Sequence, residues 1–212
     1  MPLGPAVRRA FGRYEHQVAE AWRAVFFDLD RFADLIQARV PRAARVLEVG
    51  CGEGAMTERL ASRYPDAELL AIDITPRVGR LFRGDKRQVS FRQVDTETVA
   101  RERGSVFDLV VMSDVLHHVS LAGREPLISS IGQLLAPKGT LVLKDWMRAG
   151  PPIHWLCAAS DMFLTGDRVS YFKAPELCRL LEGQFGEGSL LTQIAIPPWN
   201  NNQVFLVRKS PA

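Results

Sequence analysis

With 212 residues, 47% hydrophobic and 24% charged, the chain is long enough for one domain of ordinary size and has no disordered bias. A net charge of +3, with 22 arginines and five lysines scattered along the chain, forms no basic block and argues against a nucleic-acid partner. The opening MPLGPAVRRAFGRYEH lacks the apolar core of a signal peptide, and no apolar run approaches the roughly 18 residues of a membrane span, so a cytoplasmic protein without a membrane span is expected.

From Gln17 to Val40 the apolar residues Val18, Trp22, Val25, Leu29, Phe32 and Ile36 recur every three or four positions, which predicts an amphipathic helix. After Pro41 short apolar runs predict five buried strands: Arg45 to Val49, Glu68 to Ile72, Val89 to Val94, Phe107 to Met112 and Gly139 to Leu143. Helical patterns lie between them, over Met56 to Arg63, Arg77 to Phe82, Thr96 to Arg103 and Arg124 to Leu135. Strand and helix in alternation call for an α/β fold, a Rossmann-like doubly wound sheet with helices on both faces. Leu190 to Ile196 and Gln203 to Val207 are joined only by PPWNNN. They have room for nothing but an antiparallel hairpin, so the sheet is mostly parallel with an antiparallel end. The single domain divides into an N-terminal helical cap (1–40), a cofactor-binding core (41–146), a lid-like insertion (147–172) and a C-terminal helix with the hairpin (173–212). Cys51, Cys157 and Cys178 are odd in number and lack metal-ligand spacing, so no disulfide framework or zinc site is expected.

The stretch VLEVGCGEGA, Val46 to Ala55, is the first strand and its turn into a helix. Glycine there admits backbone angles closed to other residues and lets amide groups approach a ligand. Gly50, Gly52 and Ala55 fit the dinucleotide fingerprint G-x-G-x-x-G/A. Glu48, two residues before the first glycine, sits poorly beside a diphosphate and well beside a cationic ligand. Asp73, ending the second strand, is placed to accept ribose hydroxyls, and Asp95, after the third, to accept an adenine amino proton. Three acids at three strand ends outline an adenosyl group with a positively charged tail.

These motifs resemble the class I S-adenosylmethionine (SAM)-dependent methyltransferases of the small bacterial type: EVGCGEG, AID, QVD, FDLVVMSDVLHHV and LLAPKGTLVLKDW, in order between Arg45 and Trp146. The resemblance implies SAM as cofactor and S-adenosylhomocysteine as product, held by Glu48, Gly50, Cys51, Gly52, Asp73, Ile74, Asp95, Thr96 and Ser113. Gly54 and Ala55 are read as helix-packing positions. In some relatives a glutamate at the position of His117 helps hold a metal; this chain has DVLHHV, so no metal is expected.

Methyl transfer from a sulfonium has an excellent leaving group, so the protein mainly aligns the reactants and keeps water out. A phenol, enol or acid needs at most one base. His117 and His118, just after the fourth strand, are the candidates, His117 foremost, with Asp145 at the end of the fifth strand as a third. Methyltransferases acting on amino nitrogens of bases or glutamine often carry Asp/Asn/Ser-Pro-Pro-aromatic where this chain reads SDVL. A small, apolar or aromatic acceptor, methylated most often at oxygen, is therefore expected, with Tyr14, Trp146, His154, Trp155 and Tyr171 lining its pocket. Methylation at carbon or nitrogen, or a non-catalytic SAM-binding subunit, remains open. A nicotinamide-dependent reductase would fit the glycine loop, but no Tyr-x-x-x-Lys pair occurs. The sequence leaves room for a homodimer.

Overall fold

The computed structural model describes residues 28–148, 169–196 and 200–209. The elements run α1 (Leu29–Arg39), β1 (Arg45–Val49), α2 (Ala55–Arg63), β2 (Glu68–Asp73), β3 (Val89–Gln93), α3 (Thr96–Arg103) and β4 (Phe107–Ser113). A 3-10 turn (Leu116–His118), α4 (Leu121–Leu134), β5 (Leu135–Trp146), α5 (Ala174–Phe185), β6 (Leu190–Ile196) and β7 (Asn202–Arg208) follow.

The strands form one sheet in the order β3-β2-β1-β4-β5-β7-β6. The first five are parallel, and β7 inserts antiparallel between β5 and β6. Because side chains alternate across a strand, the sheet feeds two cores. Leu47, Val49, Leu70, Ile72, Met112, Leu141, Leu143 and Phe205 pack with α3, α4 and α5. Val46, Leu69, Ala71, Val111, Val142 and Val204 pack with α1 and α2. The sheet is thus doubly wound, as expected, and the carboxyl ends of β1, β2, β4 and β5 share one rim, where open α/β sheets bind ligands.

Two expected helices differ. Asp28 is the N-cap of α1, its side chain accepting from the Arg31 amide at 3.0 Å. The helical pattern is therefore not one continuous helix through Asp28, and its portion over residues 17–27 lies outside the described residues. Over 77–82 the chain makes a turn and no helix. Gly79 holds φ +65°, and a Cβ there would lie 2.4 Å from the Phe91 ring. The amides of Gly79 and Leu81 instead donate to the carbonyls of Gly52 and Glu53, both at 2.9 Å. Arg80 adds an ion pair to Glu53 at 2.8 Å. Pairing with the glycine loop thus outweighs the local helical pattern.

Phe205, fully buried at the middle of β7, joins that strand to the α4 and α5 side. Phe205→Ala should lower unfolding free energy by about 3 to 5 kcal/mol, the cost of a large buried side chain and its cavity. Urea unfolding with an unchanged m-value is the measurement.

Candidate active site

The glycine loop is held from below and from the side. The amides of Gly50 and Cys51 both donate to the Ile72 carbonyl, at 2.8 and 3.0 Å. Asp73 accepts from the Gly52 amide at 2.7 Å on one oxygen and from the Thr75 amide at 2.8 Å on the other. The Asp73 carboxylate therefore fixes the loop to β2, and each oxygen retains capacity for a further donor. Gly50 has φ +76° and stands where a Cβ would fall 2.1 Å from Val115 Cγ2. At Gly52, with φ +50°, a Cβ would meet nothing within 4 Å. The first glycine is demanded by the turn after β4, whereas the second leaves open space above its backbone. A Cβ on Gly54 would lie 3.0 Å from Phe82, in line with a packing position.

Glu48 projects onto the α1 and α2 side, between Leu47 and Val49 of the opposite core. It is 3% exposed, and its Oε2 has no hydrogen-bond partner among the described residues. The Thr57 hydroxyl faces it without reaching hydrogen-bond geometry. Burial pushes the Glu48 carboxyl up to about 7; the Asp73 charge adds to this and Thr57 opposes it. A buried acid left without a donor fits a cationic group arriving with the ligand, such as the amino group of a methionine moiety. Burial pushes the Cys51 thiol up as well, with Glu48 and Asp73 adding to it, so Cys51 is an inert wall. Ile74, 75% exposed at the end of β2, offers an apolar surface that a flat base would cover.

Other expected cofactor residues have different engagements. Asp95 caps α3, accepting from the Thr98 amide at 2.8 Å. That hydrogen bond holds its carboxyl below the usual range. The buried Thr96 hydroxyl meets the Ser130 hydroxyl at 2.5 Å. Ser113 donates to Asp114 at 3.1 Å.

The structure joins two candidates that the sequence offered separately. His117 Nδ1 hydrogen-bonds Asp145 Oδ1. The same carboxylate accepts from the amides of Leu116 at 2.8 Å, His117 at 3.2 Å and Trp146 at 2.7 Å. His117 is 2% exposed and Asp145 1%, while His118 is exposed, its ring 4.1 Å from that of His117. The Tyr171 ring stacks on His117 with centroids 5.6 Å apart. The two ends of the insertion meet here: Met147 bridges Phe172, the Arg148 amide donates to Phe172, and the Ser170 amide donates to the His117 carbonyl. Tyr14, His154, Trp155 and residues 149–168 lie outside the described residues.

A third group was not singled out from the sequence. Asp114, at φ +58°, accepts from buried Lys144 on both oxygens, at 2.6 and 2.8 Å. Burial would raise the Asp114 carboxyl, but the Lys144 and His117 charges and its hydrogen bonds hold it below the usual carboxylate range. The available signal was a lysine inside the apolar run TLVLKDW. Potential ligand atoms of Asp114, His117 and Asp145 lie within 4.8 Å of one another. Both Asp114 oxygens hold an ammonium, and Asp145 is occupied by amides and the imidazole, so the donor set suits proton handling better than a cation. A basic cleft of about 750 Å³, with Arg39, Arg42, Lys138 and Arg208 among its lining, opens at the amino ends of the strands and includes none of these residues.

A family model described as a methyltransferase domain matches residues 14–184. A ubiquinone biosynthesis O-methyltransferase of Xanthomonas axonopodis pv. citri is 36% identical over 180 residues, covering 79% of this chain and 73% of that protein. The chain belongs to the class I SAM-dependent methyltransferases. A trans-aconitate 2-methyltransferase of Methylobacterium nodulans is 38% identical over 130 residues, 58% of this chain. The chain spans about half that relative's length, the match covering 47% of it. Among solved structures, the Burkholderia thailandensis 1,6-didemethyltoxoflavin-N1-methyltransferase superposes with TM-score 0.69 at 21% identity, over 99% of this chain and 91% of that one. At that identity the likeness is one of fold. The family's cofactor is SAM, and the orphaned Glu48 oxygen and the open space over Gly52 fit it. No helix among the described residues is long and apolar enough to cross a membrane.

The Glu48 environment sets a pH dependence. Its folded-state carboxyl lies above the ordinary value of 4.5, so ionisation is penalised in the ligand-free fold and relieved by a cationic ligand. S-adenosylhomocysteine affinity should rise with pH by up to about tenfold per unit and level off above the Glu48 value. In Glu48→Gln that slope should vanish and binding should weaken. Calorimetric titration across the range checks both, and a parallel pH profile in the variant would remove Glu48 from the site.

Proposed function

We propose that this protein transfers a methyl group from SAM to an oxygen of a small, mainly apolar or aromatic acceptor, with His117 as general base. The observation that carries the reading is the His117–Asp145 pair at the carboxyl ends of β4 and β5, at the neck of the insertion. Glu48, the 50–52 backbone, Asp73 and Ile74 would hold the cofactor. Bound there, SAM supplies an electrophilic methyl on sulfur and leaves as S-adenosylhomocysteine.

The chain's own residues account for the rest. Asp145 occupies Nδ1 of His117, so Nε2 is the nitrogen through which a hydroxyl proton would be taken. The Asp114 and Asp145 carboxylates lie close to the ring and would favour the imidazolium formed. Tyr171 covers the ring and limits water, whose access would compete with the acceptor. The described ends of the insertion, Met147 and Ser170 to Phe172, lie beside His117, which supports reading the segment between them as a cover for the acceptor. The O-methyltransferase name of the 36% identical relative supports oxygen as the methylated atom, and SDVL in place of the proline-rich motif supports a small molecule over a nucleic-acid base.

The test is purified protein with tritiated SAM and a panel of phenols and carboxylic acids, following label in extracted product. His117→Ala should lower turnover about 10²- to 10⁴-fold with S-adenosylhomocysteine affinity near wild type. His117→Gln, which keeps most of the buried volume, should lose the same activity while melting close to wild type. An unchanged pH-rate profile in either variant would remove His117 as base, and binding of NAD in place of SAM would overturn the cofactor assignment.

A further inference from the structure

The rim has a second polar group, on the side of the sheet opposite the His117–Asp145 pair. Asn202 opens β7 directly opposite Trp146 of β5, with Val204 opposite Lys144. Paired residues share a face, so Asn202, Trp146 and Lys144 stand together on the side of α1, the side that also carries Glu48. The Lys144 ammonium lies 5.4 Å from the Trp146 ring centre. Asn202 is 2% exposed, and its Oδ1 is buried with no hydrogen-bond partner among the described residues. Leaving such an oxygen unsatisfied costs about 1 to 3 kcal/mol, and buried polar groups are nearly always paired. An aliphatic side chain would avoid that cost, and a donor that came with a ligand would offset it.

Position says which ligand. The orphaned oxygen of Glu48 lies on β1 and suits the cofactor's amino end. Asn202 is three strands away on the same face, about 14 Å across the sheet, and four residues, about 13 Å, further toward the rim, beyond the cofactor's amino group. From β4, whose end carries the His117 turn, Asn202 is two strands away, about 10 Å. The half-buried Trp146 ring flanks it as a flat apolar wall.

We propose that Asn202 and Trp146 form a second acceptor subsite, in which Asn202 Oδ1 accepts from an O–H or N–H of a flat, fused-ring acceptor at the end remote from the methylated oxygen. The inference rests on the methyltransferase reading and narrows it: a short-chain acid cannot reach both ends of the site. Asn202 selects the acceptor and takes no part in proton transfer.

The probes are a naphthalenediol with hydroxyls at opposite ends of the rings and its dimethyl ether, titrated calorimetrically into protein saturated with S-adenosylhomocysteine. Asn202→Leu should weaken diol binding about 5- to 100-fold and leave the ether within about twofold, the signature of a lost hydrogen bond. S-adenosylhomocysteine affinity should not change. Melting of the ligand-free variant should occur at or above the wild-type temperature, because the substitution removes an unsatisfied amide. Equal losses for diol and ether, no binding of the diol to wild type, or a clearly lower melting temperature would each overturn the proposal. Failure of the methyltransferase reading would show separately, as loss of S-adenosylhomocysteine binding by the wild-type protein.

Discussion

The carboxylate of Asp145 is the tie on which the upper end of the sheet depends. It accepts from the amides of Leu116, His117 and Trp146 and from the His117 ring. Those donors belong to the end of β5 and to the turn that leaves β4, so one side chain closes the gap where two parallel strands diverge. A buried carboxylate with this many donors has its hydrogen-bonding capacity filled by the fold itself. The imidazole is consequently fixed in ring orientation and tautomer by the same group that fixes the backbone carrying it. One end of the insertion is attached to this turn through the Ser170 amide on the His117 carbonyl, and Met147 at the other end bridges Phe172. The His117 side chain and its backbone thus share one anchor, which is why the turn can be short and still place a side chain reproducibly.

The other half of the rim is organised by backbone donors of the same kind. Asp73 receives the Gly52 and Thr75 amides, and the turn over 76–81 donates to the carbonyls of Gly52 and Glu53. The glycine loop is therefore rigid before any ligand arrives, with positive φ angles that only glycine holds at low cost. A preformed loop lowers the entropy lost on binding. The open space above Gly52 is the part of the loop not used by the fold itself.

Much of this was legible in the sequence, for identifiable reasons. Alternation of short apolar runs with helical stripes gives the sheet and both helix layers, because burial on two faces leaves few other arrangements. The hairpin follows from the brevity of PPWNNN. The 77–82 helix was misread because its pattern is local, while the pairing with Gly52 and Glu53 that replaces it is not. Asp145 and His117 were each found, but their pairing needs the knowledge that β4 and β5 are neighbours. Asp114, Lys144 and Asn202 carry no spacing signal. Lys144 looks like a solvent residue until the register buries it beside Asp114, and Asn202 looks like a turn residue until β7 inserts between β5 and β6.

That insertion carries a physical consequence. An edge strand would expose its first residue to water, and an asparagine there would be satisfied by solvent. Placed between two strands, the same residue is buried and its amide oxygen loses that option. Glu48 has undergone the same change on β1, in the sheet's interior. Its carboxyl at about 7 and the orphaned Asn202 oxygen are two expressions of one arrangement: polar groups held in the dry rim at a cost to the free protein. Each unsatisfied group raises the free energy of the ligand-free state relative to a state in which a ligand supplies the missing hydrogen bond or charge. Ligand binding should therefore stabilise the fold through the groups that destabilise it when alone. Bound as proposed, cofactor and acceptor need not touch each other to share in that gain, since each would relieve a different orphan on the same face of one sheet.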